Sequence, residues 1–214
     1  MMFKHISTKI VWLLIIFASN NSIAQNGKDT ILLLNGAVMT GTVIDTTNGV
    51  TSIKNPKDST KNIIIENDRI FSITNSRGES VMYMYDTIIG NEFTIEEMRY
   101  FILGEQDAEK GYKAKGAFWG NMLLGAAGGV TGSFLSLIPP FGFTALSGLP
   151  RVKVKSNTIS NVDYIKHDTY IMGYERVARK KRKISSLIGG GIGLGVGIGT
   201  SIILDKTNNA ISFD

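Results

Sequence analysis

Five carboxylates lie within a short segment of the sequence, at Glu96, Glu97, Glu105, Asp107 and Glu109. Two such groups can act as general acid and general base when burial or a neighbouring charge shifts one pKa. The segment contains no histidine, and no partner residue converges on it. Because a helix surface normally carries charges of this kind, we expect these five side chains to be solvated rather than catalytic.

Residues for thiol or metal chemistry are almost absent from the chain. The 214 residues include no cysteine, and His5 and His167 are the two histidines. These counts exclude a disulfide framework, a thiol nucleophile, cysteine-ligated zinc, iron–sulfur clusters and a multi-histidine metal site. We therefore expect no metal, no other cofactor and no enzymatic activity. His167, between two charged neighbours, is expected to be an isolated surface residue.

Glycine is the remaining residue type whose spacing suggests a function. A nucleotide-binding loop needs Gly-x-Gly-x-x-Gly or Gly-Lys-Ser/Thr, and residues 189–199 contain neither spacing. Their glycines form two rows with a spacing of four, and small residues at this spacing let another helix approach closely. Candidate helix-packing residues are Gly189, Gly193 and Gly197 in one row, Gly191, Gly195 and Gly199 in the other, and Gly125, Gly129 and Gly132 earlier in the chain.

The N-terminus, residues 1–24, predicts a secretory signal peptide. Two lysines precede the apolar core at residues 10–18, and the small residues Ser22 and Ala24 occupy positions −3 and −1 before Gln25. This core is too short to cross a bilayer, which needs about 20 residues. We expect export and cleavage before Gln25, with an uncleaved N-terminal anchor as the alternative.

Residues 25–90 predict a small antiparallel β domain, because apolar and polar residues alternate between turn signals. The predicted strands are Asp29–Leu34, Ala37–Asp45, Val50–Lys54, Asn62–Glu66, Ile70–Asn75 and Ser80–Asp86. Asn35-Gly36 predicts a hairpin turn of type I′. We expect the strands to close into a small barrel, since closure removes exposed sheet edges.

The pattern Asp29-x-Ile31-x-Leu33-x-Asn35-Gly36, followed by a run containing Gly41-x-Val43, resembles the opening hairpin of SH3-like or Sm-like barrels. Some of these barrels bind peptides or RNA. From Gln25 to Lys115 the chain has 10 basic and 13 acidic residues, so we expect no nucleic-acid binding. Tyr83 and Tyr85, on one face of the last strand, favour ordinary packing, with a peptide groove as the alternative.

Two uncharged, glycine-rich segments predict transmembrane helices. The first is Gly116–Ile138, preceded by an amphipathic helix over residues 91–115 that a Thr94–Glu97 capping box would start. The second covers residues 185–204. Both are long enough to cross about 30 Å of hydrocarbon. The Pro139-Pro140 pair should end the first helix.

The basic side chains of the second half are concentrated between the two predicted spans. The positive-inside rule therefore places residues 139–184 in the cytoplasm as a linker. The β domain would lie in the periplasm, anchored in the bacterial inner membrane, with residues 205–214 as a short tail. The candidate lipid-headgroup residues are Arg179, Lys180, Lys181, Arg182 and Lys183.

A similar pattern precedes each glycine-rich segment. Phe101-Ile-Leu-Gly104 matches Tyr170-Ile-Met-Gly173, and with one inserted residue the following Glu, Ala and Lys positions also align. A degenerate duplication and a chance similarity of two juxtamembrane helices both explain this echo.

The complete arrangement resembles uncharacterised exported membrane proteins of Gram-negative bacteria, and this resemblance implies no site residues. We expect a non-enzymatic cell-envelope protein in contact with membrane lipids. Its β domain would bind an envelope partner or act as a sensor, and its helical hairpin would anchor and self-associate. A pore or transport accessory is the first alternative, and an envelope enzyme with an unrecognised site is the second.

Overall fold

The computed structural model describes residues 28–55, 61–88, 90–131 and 133–211. The predicted signal peptide and Gly132 lie outside these ranges. The described chain forms two compact units, one of residues 28–32 and 38–82 and the other of residues 33–37 and 83–211.

The first unit is a six-stranded antiparallel sheet. Its strands are β1 (Asp29–Leu33), β2 (Val38–Asp45), β3 (Val50–Lys54), β4 (Asn62–Glu66), β5 (Ile70–Asn75) and β6 (Gly78–Val81), in the order β4-β3-β2-β1-β5-β6. Antiparallel β1 and β2 set Asp29 opposite Gly41. Ile31, Ile70 and Phe71 form its core at 0 % exposure. The predicted antiparallel β domain is confirmed, whereas barrel closure stays a prediction.

The type I′ turn of the sheet lies at Asn48-Gly49 and not at Asn35-Gly36, where the sequence predicted it. The positive φ angles of Asn48 (56°) and Gly49 (75°) form the type I′ turn between β2 and β3. Between β1 and β2, Gly36 has a φ of 75°, and Asn48 is the one described non-glycine residue with a positive φ. The Gly36 N–H donates to Leu33 O at 3.0 Å, so glycine follows a tight turn there instead of forming a type I′ pair.

The last strand is shorter than predicted. Strand β6 ends at Val81, so Tyr83 and Tyr85 lie beyond it. The Tyr83 hydroxyl donates to Phe93 O at 2.7 Å, whereas Tyr85 is 55 % exposed. The two tyrosines therefore do not share a strand face, which removes the basis for a peptide groove.

The second unit is helical. Its helices are α1 (Ile95–Gly111), α2 (Lys115–Thr131), α3 (Ile138–Leu146) and α4 (Asp168–Ile211), with 3-10 turns at Phe134–Leu137, Ser156–Thr158 and Val162–Lys166. The predicted capping box starts α1, because Glu97 N donates to the Thr94 hydroxyl and Thr94 N donates to the Glu97 carboxylate. This stabilises the helix start by satisfying two backbone donors.

The predicted first span is not one helix. Helix α2 ends at Thr131 after 17 residues, or about 26 Å. The chain then turns, with Leu135 N donating to the Ser133 hydroxyl at 3.3 Å. Pro139 and Pro140 occupy the first turn of α3 and so begin a helix instead of ending one. Proline is tolerated there because the first N–H groups of a helix have no intrahelical partner.

Helix α4 is the one helix of the described residues that is long and apolar enough to cross a membrane, over Asp168–Lys206. It is continuous for 44 residues, so the predicted second span and its basic approach form one element.

Helix α4 runs parallel to α1 and then to α2. The residue numbers of the contacting pairs increase together along the helices, from Gly104 against Tyr170 to Gly129 against Leu194. Because α2 and α4 run in the same direction, the chain between them must return along the length of α2. The return segment, defined as residues 133–167, makes that connection.

The return segment contacts the helices in reverse order. Pro140 O accepts a hydrogen bond from Asn121 of α2 at 3.0 Å, and Ser160 N donates to Asp107 of α1 at 2.8 Å. This differs from the predicted antiparallel hairpin, which set residues 139–184 on the opposite side of the membrane from α1. The reason is that residues 133–149 turn back along α2.

Candidate functional site

One glycine row of α4 lies against α2. Gly189, Gly193 and Gly197 are buried, and a Cβ at Gly193 or Gly197 would overlap the carbonyl oxygen of Met122 or Ala126. Gly125 and Gly129 of α2 face α4 in the same manner. Such contacts bring two helix backbones together and allow dispersion and Cα–H···O interactions.

The second glycine row points away from α2. At Gly191 and Gly195 a Cβ would have no neighbour within 4 Å, and the same holds at Gly199. A step of two residues turns the helix by about 200°, so the two rows lie on nearly opposite faces. The structure therefore separates glycines that the sequence places in one class.

Glycines of α1 and α2 and glycines of α4 contact each other's helices in the same way. A Cβ on Gly104 would meet Tyr170 O, three residues before Gly173, and a Cβ on Gly173 would meet Phe101 O, three residues before Gly104. The pairs Gly125–Gly193 and Gly129–Gly197 follow the same rule. The helices are thus related by a local two-fold axis, which favours the duplication as the explanation of the sequence echo.

A buried amide connects three segments within the glycine-rich region. Asn121 is 1 % exposed, and its Nδ2 lies 3.0 Å from Pro140 O, 2.9 Å from the Thr144 hydroxyl and 2.8 Å from Ser186 O. Ser186 is fully buried, and its hydroxyl lies 3.1 Å from that of Thr144. Asn121 is the one amide side chain between Gly116 and Pro150, a signal that sequence analysis could have used.

Replacing Asn121 by leucine is expected to lower the free energy of unfolding in detergent micelles by about 2 kcal/mol, because buried carbonyls lose their donor. Denaturant titration followed by Trp119 fluorescence would measure this change. Asn157→Leu is the matched control, because Asn157 is exposed in the return segment. Equal stability of the two variants would contradict a stabilising role for the buried amide.

Two of the five clustered carboxylates are buried, which corrects the prediction that all are solvated. Asp107 accepts hydrogen bonds from Ser160 N, the Ser160 hydroxyl and the Tyr170 hydroxyl at 2.7–2.8 Å. Burial raises the pKa of Tyr170, and the hydrogen bond to Asp107 raises it further, so the hydroxyl remains a donor. These bonds attach the return segment to α1 and α4.

Glu105 is 4 % exposed and ion-pairs with Arg176 at 3.3 Å. Burial raises the pKa of Glu105, and the nearby charges of Arg176 and Lys180 oppose the shift. Within the described residues, no group of three or more histidine, aspartate or glutamate side chains is placed to hold a metal ion. His167 is half-buried and stacks on Tyr100, with ring centroids 3.6 Å apart.

The predicted lipid-headgroup residues are mostly engaged within the protein. Arg179 pairs with Glu175 at 2.6 Å, and Lys181 donates to the last carbonyls of α1. Arg182 donates to the Tyr112 hydroxyl at 3.1 Å and to Pro150 O at 2.9 Å, while the stem of Lys183 packs on Gly148. Lys180 and Lys183 are exposed. Lys181 and Arg182 therefore connect α4 to α1 and to the return segment.

Helix α2, the returning residues 133–149 and the uncharged part of α4 share one boundary in space. Their charged ends are Lys115, Arg151 and Lys183, which are distant in sequence. Arg182 bonds both Tyr112, just before α2, and Pro150, so the three ends meet around α4. Beyond this boundary large apolar side chains are exposed; examples are Trp119 (58 %), Leu123 (71 %), Phe141 (55 %), Leu146 (62 %), Leu187 (51 %), Val196 (52 %) and Ile203 (66 %).

Comparison of the chain with protein-family models, curated proteins and solved structures finds no match. The resemblances to SH3-like barrels and to exported glycine-rich membrane proteins therefore stay predictions.

Proposed function

We propose that this chain is a non-enzymatic cell-envelope membrane protein that presents its N-terminal β domain at a bilayer surface. The observation that carries the proposal is the shared charge boundary, beyond which the uncharged segments expose large apolar side chains. A water-soluble protein rarely exposes so much contiguous apolar surface. In a bilayer the same side chains contact lipid tails.

The embedded part contains three segments. Helix α4 crosses the membrane, while α2 enters it and residues 133–149 return beside it. The turn at residues 133–137 is tolerated where protein or headgroups satisfy its polar groups. In this arrangement α2 is a second membrane-embedded helix, parallel to α4.

The β domain, α1 and the basic residues 151–183 then share one side of the membrane. The predicted signal peptide directs that side out of the cytoplasm, whereas the positive-inside rule favours the reverse orientation. We assign the exported side, because a domain that follows a signal peptide translocates largely regardless of its charge. The β domain would be periplasmic and available to an envelope partner, with the inner membrane as the anchor. The row of Gly191, Gly195 and Gly199, which points away from α2, is available for self-association.

Alkaline carbonate extraction of membranes tests this proposal. The full-length chain should stay in the membrane pellet, and Val196→Lys should reduce that fraction, because a lysine near the centre of a span costs about 3 kcal/mol. Val162→Lys is the matched control, because Val162 is 61 % exposed and Val196 52 % exposed, on opposite sides of the charge boundary. Release of the parent chain by carbonate, or equal retention of the two variants, would contradict the proposal.

A further inference from the structure

An open cavity of about 440 Å³ lies at the charge boundary, where α1 gives way to α2. Its wall combines three lysines, Lys113, Lys115 and Lys181, with the aromatic rings of Phe118 and Trp119. Its volume falls within the range of about 300–1,000 Å³ that small-molecule sites occupy. Cationic and aromatic walls in one cavity suit a ligand with an anionic head and an apolar body.

The lysines of this cavity differ in how they are engaged. Lys181 binds the C-terminal carbonyls of α1 and pairs with Glu109 at 3.3 Å. Lys113 and Lys115 are exposed and make no ion pair or side-chain hydrogen bond with the residues that the structure describes. The ammonium groups of Lys113 and Lys115 are thus available to an anion at the cavity.

The backbone at the start of α2 also favours an anion in this cavity. Helix α2 begins at Lys115, so its first turn faces the cavity region. The N-terminal end of a helix carries a partial positive charge and favours anions such as phosphate. The aromatic edge of the cavity, at Trp119, is 58 % exposed on the apolar side of the boundary. Tryptophan favours this depth in a membrane interface.

We propose that this cavity binds the phosphate headgroup of an anionic membrane lipid, with Lys113 and Lys115 contacting the phosphate. Phe118 and Trp119 contact the glycerol and upper acyl region. The site rests on the proposed membrane embedding. Of the predicted headgroup residues only Lys181 lines this cavity, and Lys113 and Lys115 were not among them.

Trp119 supplies a direct reporter of occupancy. The chain contains two tryptophans, and a Trp12→Phe variant leaves Trp119 alone. The full chain would be reconstituted in phosphatidylcholine vesicles in which one tenth of the lipid is bromine-labelled phosphatidylglycerol or bromine-labelled phosphatidylcholine. We expect stronger quenching by the labelled phosphatidylglycerol. Lys113→Gln/Lys115→Gln should lower that lipid's relative affinity about fivefold per lysine, from the roughly 1 kcal/mol of a basic residue at an anionic surface.

Lys153→Gln/Lys155→Gln is the control, because it removes the same charge from exposed residues outside the cavity. An equal loss in both variants, or equal quenching by the two lipids in the parent, would overturn the lipid site. Displacement of the labelled lipid by soluble glycerol phosphate would overturn the assignment to a membrane lipid. Absence of quenching by either lipid would instead contradict the membrane embedding itself.

Discussion

Of three single-cysteine variants, at Thr46, Asn157 and Asp205, two are expected to react with a membrane-impermeant maleimide in spheroplasts and one is expected to be protected. Thr46→Cys and Asn157→Cys should be labelled, and Asp205→Cys should be labelled only after lysis. All three residues are exposed, and the chain has no native cysteine to give a background signal. The expected difference between accessible and protected positions is close to all-or-none.

The physical reason is the course of the return segment. Hydrogen bonds from Ser160 and Tyr170 to Asp107 hold residues near Asn157 beside α1. Between Gln25 and Lys115 the sequence has no uncharged stretch of about 20 residues that could carry the chain across a membrane. In the proposed arrangement Thr46 and Asn157 therefore lie on one side of the membrane, and α4 carries Asp205 to the other.

Two other labelling patterns would each contradict a specific part of this result. Labelling of Thr46→Cys and Asp205→Cys with protection of Asn157→Cys would support the antiparallel hairpin and contradict the parallel helices. Labelling of Asp205→Cys alone would keep the helix arrangement and contradict export of the β domain. Permeabilised cells, in which all three cysteines should react, provide the control for reactivity.

The sheet could be predicted closely from sequence because its signals are local. Strand β3 occupies Val50–Lys54 and β4 occupies Asn62–Glu66, both as predicted. Alternation fixes which residues share a strand, and turn residues fix where the strands end. The type I′ turn was assigned to the wrong Asn-Gly pair, because both pairs have the required residues and the fold determines which adopts the geometry.

The direction of the helices was not accessible in the same way. The composition of a segment shows that it is apolar, but it does not show in which direction the segment runs across a membrane. Pro139 and Pro140 are compatible with the end of one helix or the first turn of another. The burial of Asp107 depends on residues more than fifty positions away, such as Ser160, and no local pattern reports that contact.

Gly193→Leu is expected to destabilise the contact between α2 and α4 strongly, whereas Gly195→Leu should leave stability unchanged or slightly higher. Both changes make α4 more hydrophobic by the same amount, so insertion should survive in both. Leucine also has a higher helix propensity than glycine, by about 1 kcal/mol in soluble helices. Differences between the variants therefore report packing alone.

At Gly193 the added side chain would overlap the Met122 carbonyl and come within 2.9 Å of Ala126 N, which are backbone atoms of α2 that cannot rotate away. The helices must separate and lose their close contact, so we expect the free energy of unfolding to fall by about 3 kcal/mol, at the upper end of overpacking effects. At Gly195 a side chain meets nothing within 4 Å, so stability should stay the same or rise by up to about 1 kcal/mol.

Denaturant titration in micelles, followed by Trp119 fluorescence, measures both values, and carbonate extraction verifies insertion. Equal stabilities for the two variants would show that the α2–α4 contact at Gly193 does not hold the helices together. A loss in Gly195→Leu that grows with protein concentration would have a different meaning, because only contacts between copies depend on concentration. In that outcome the row of Gly191, Gly195 and Gly199 joins copies of the chain, while the row of Gly193 packs each copy internally.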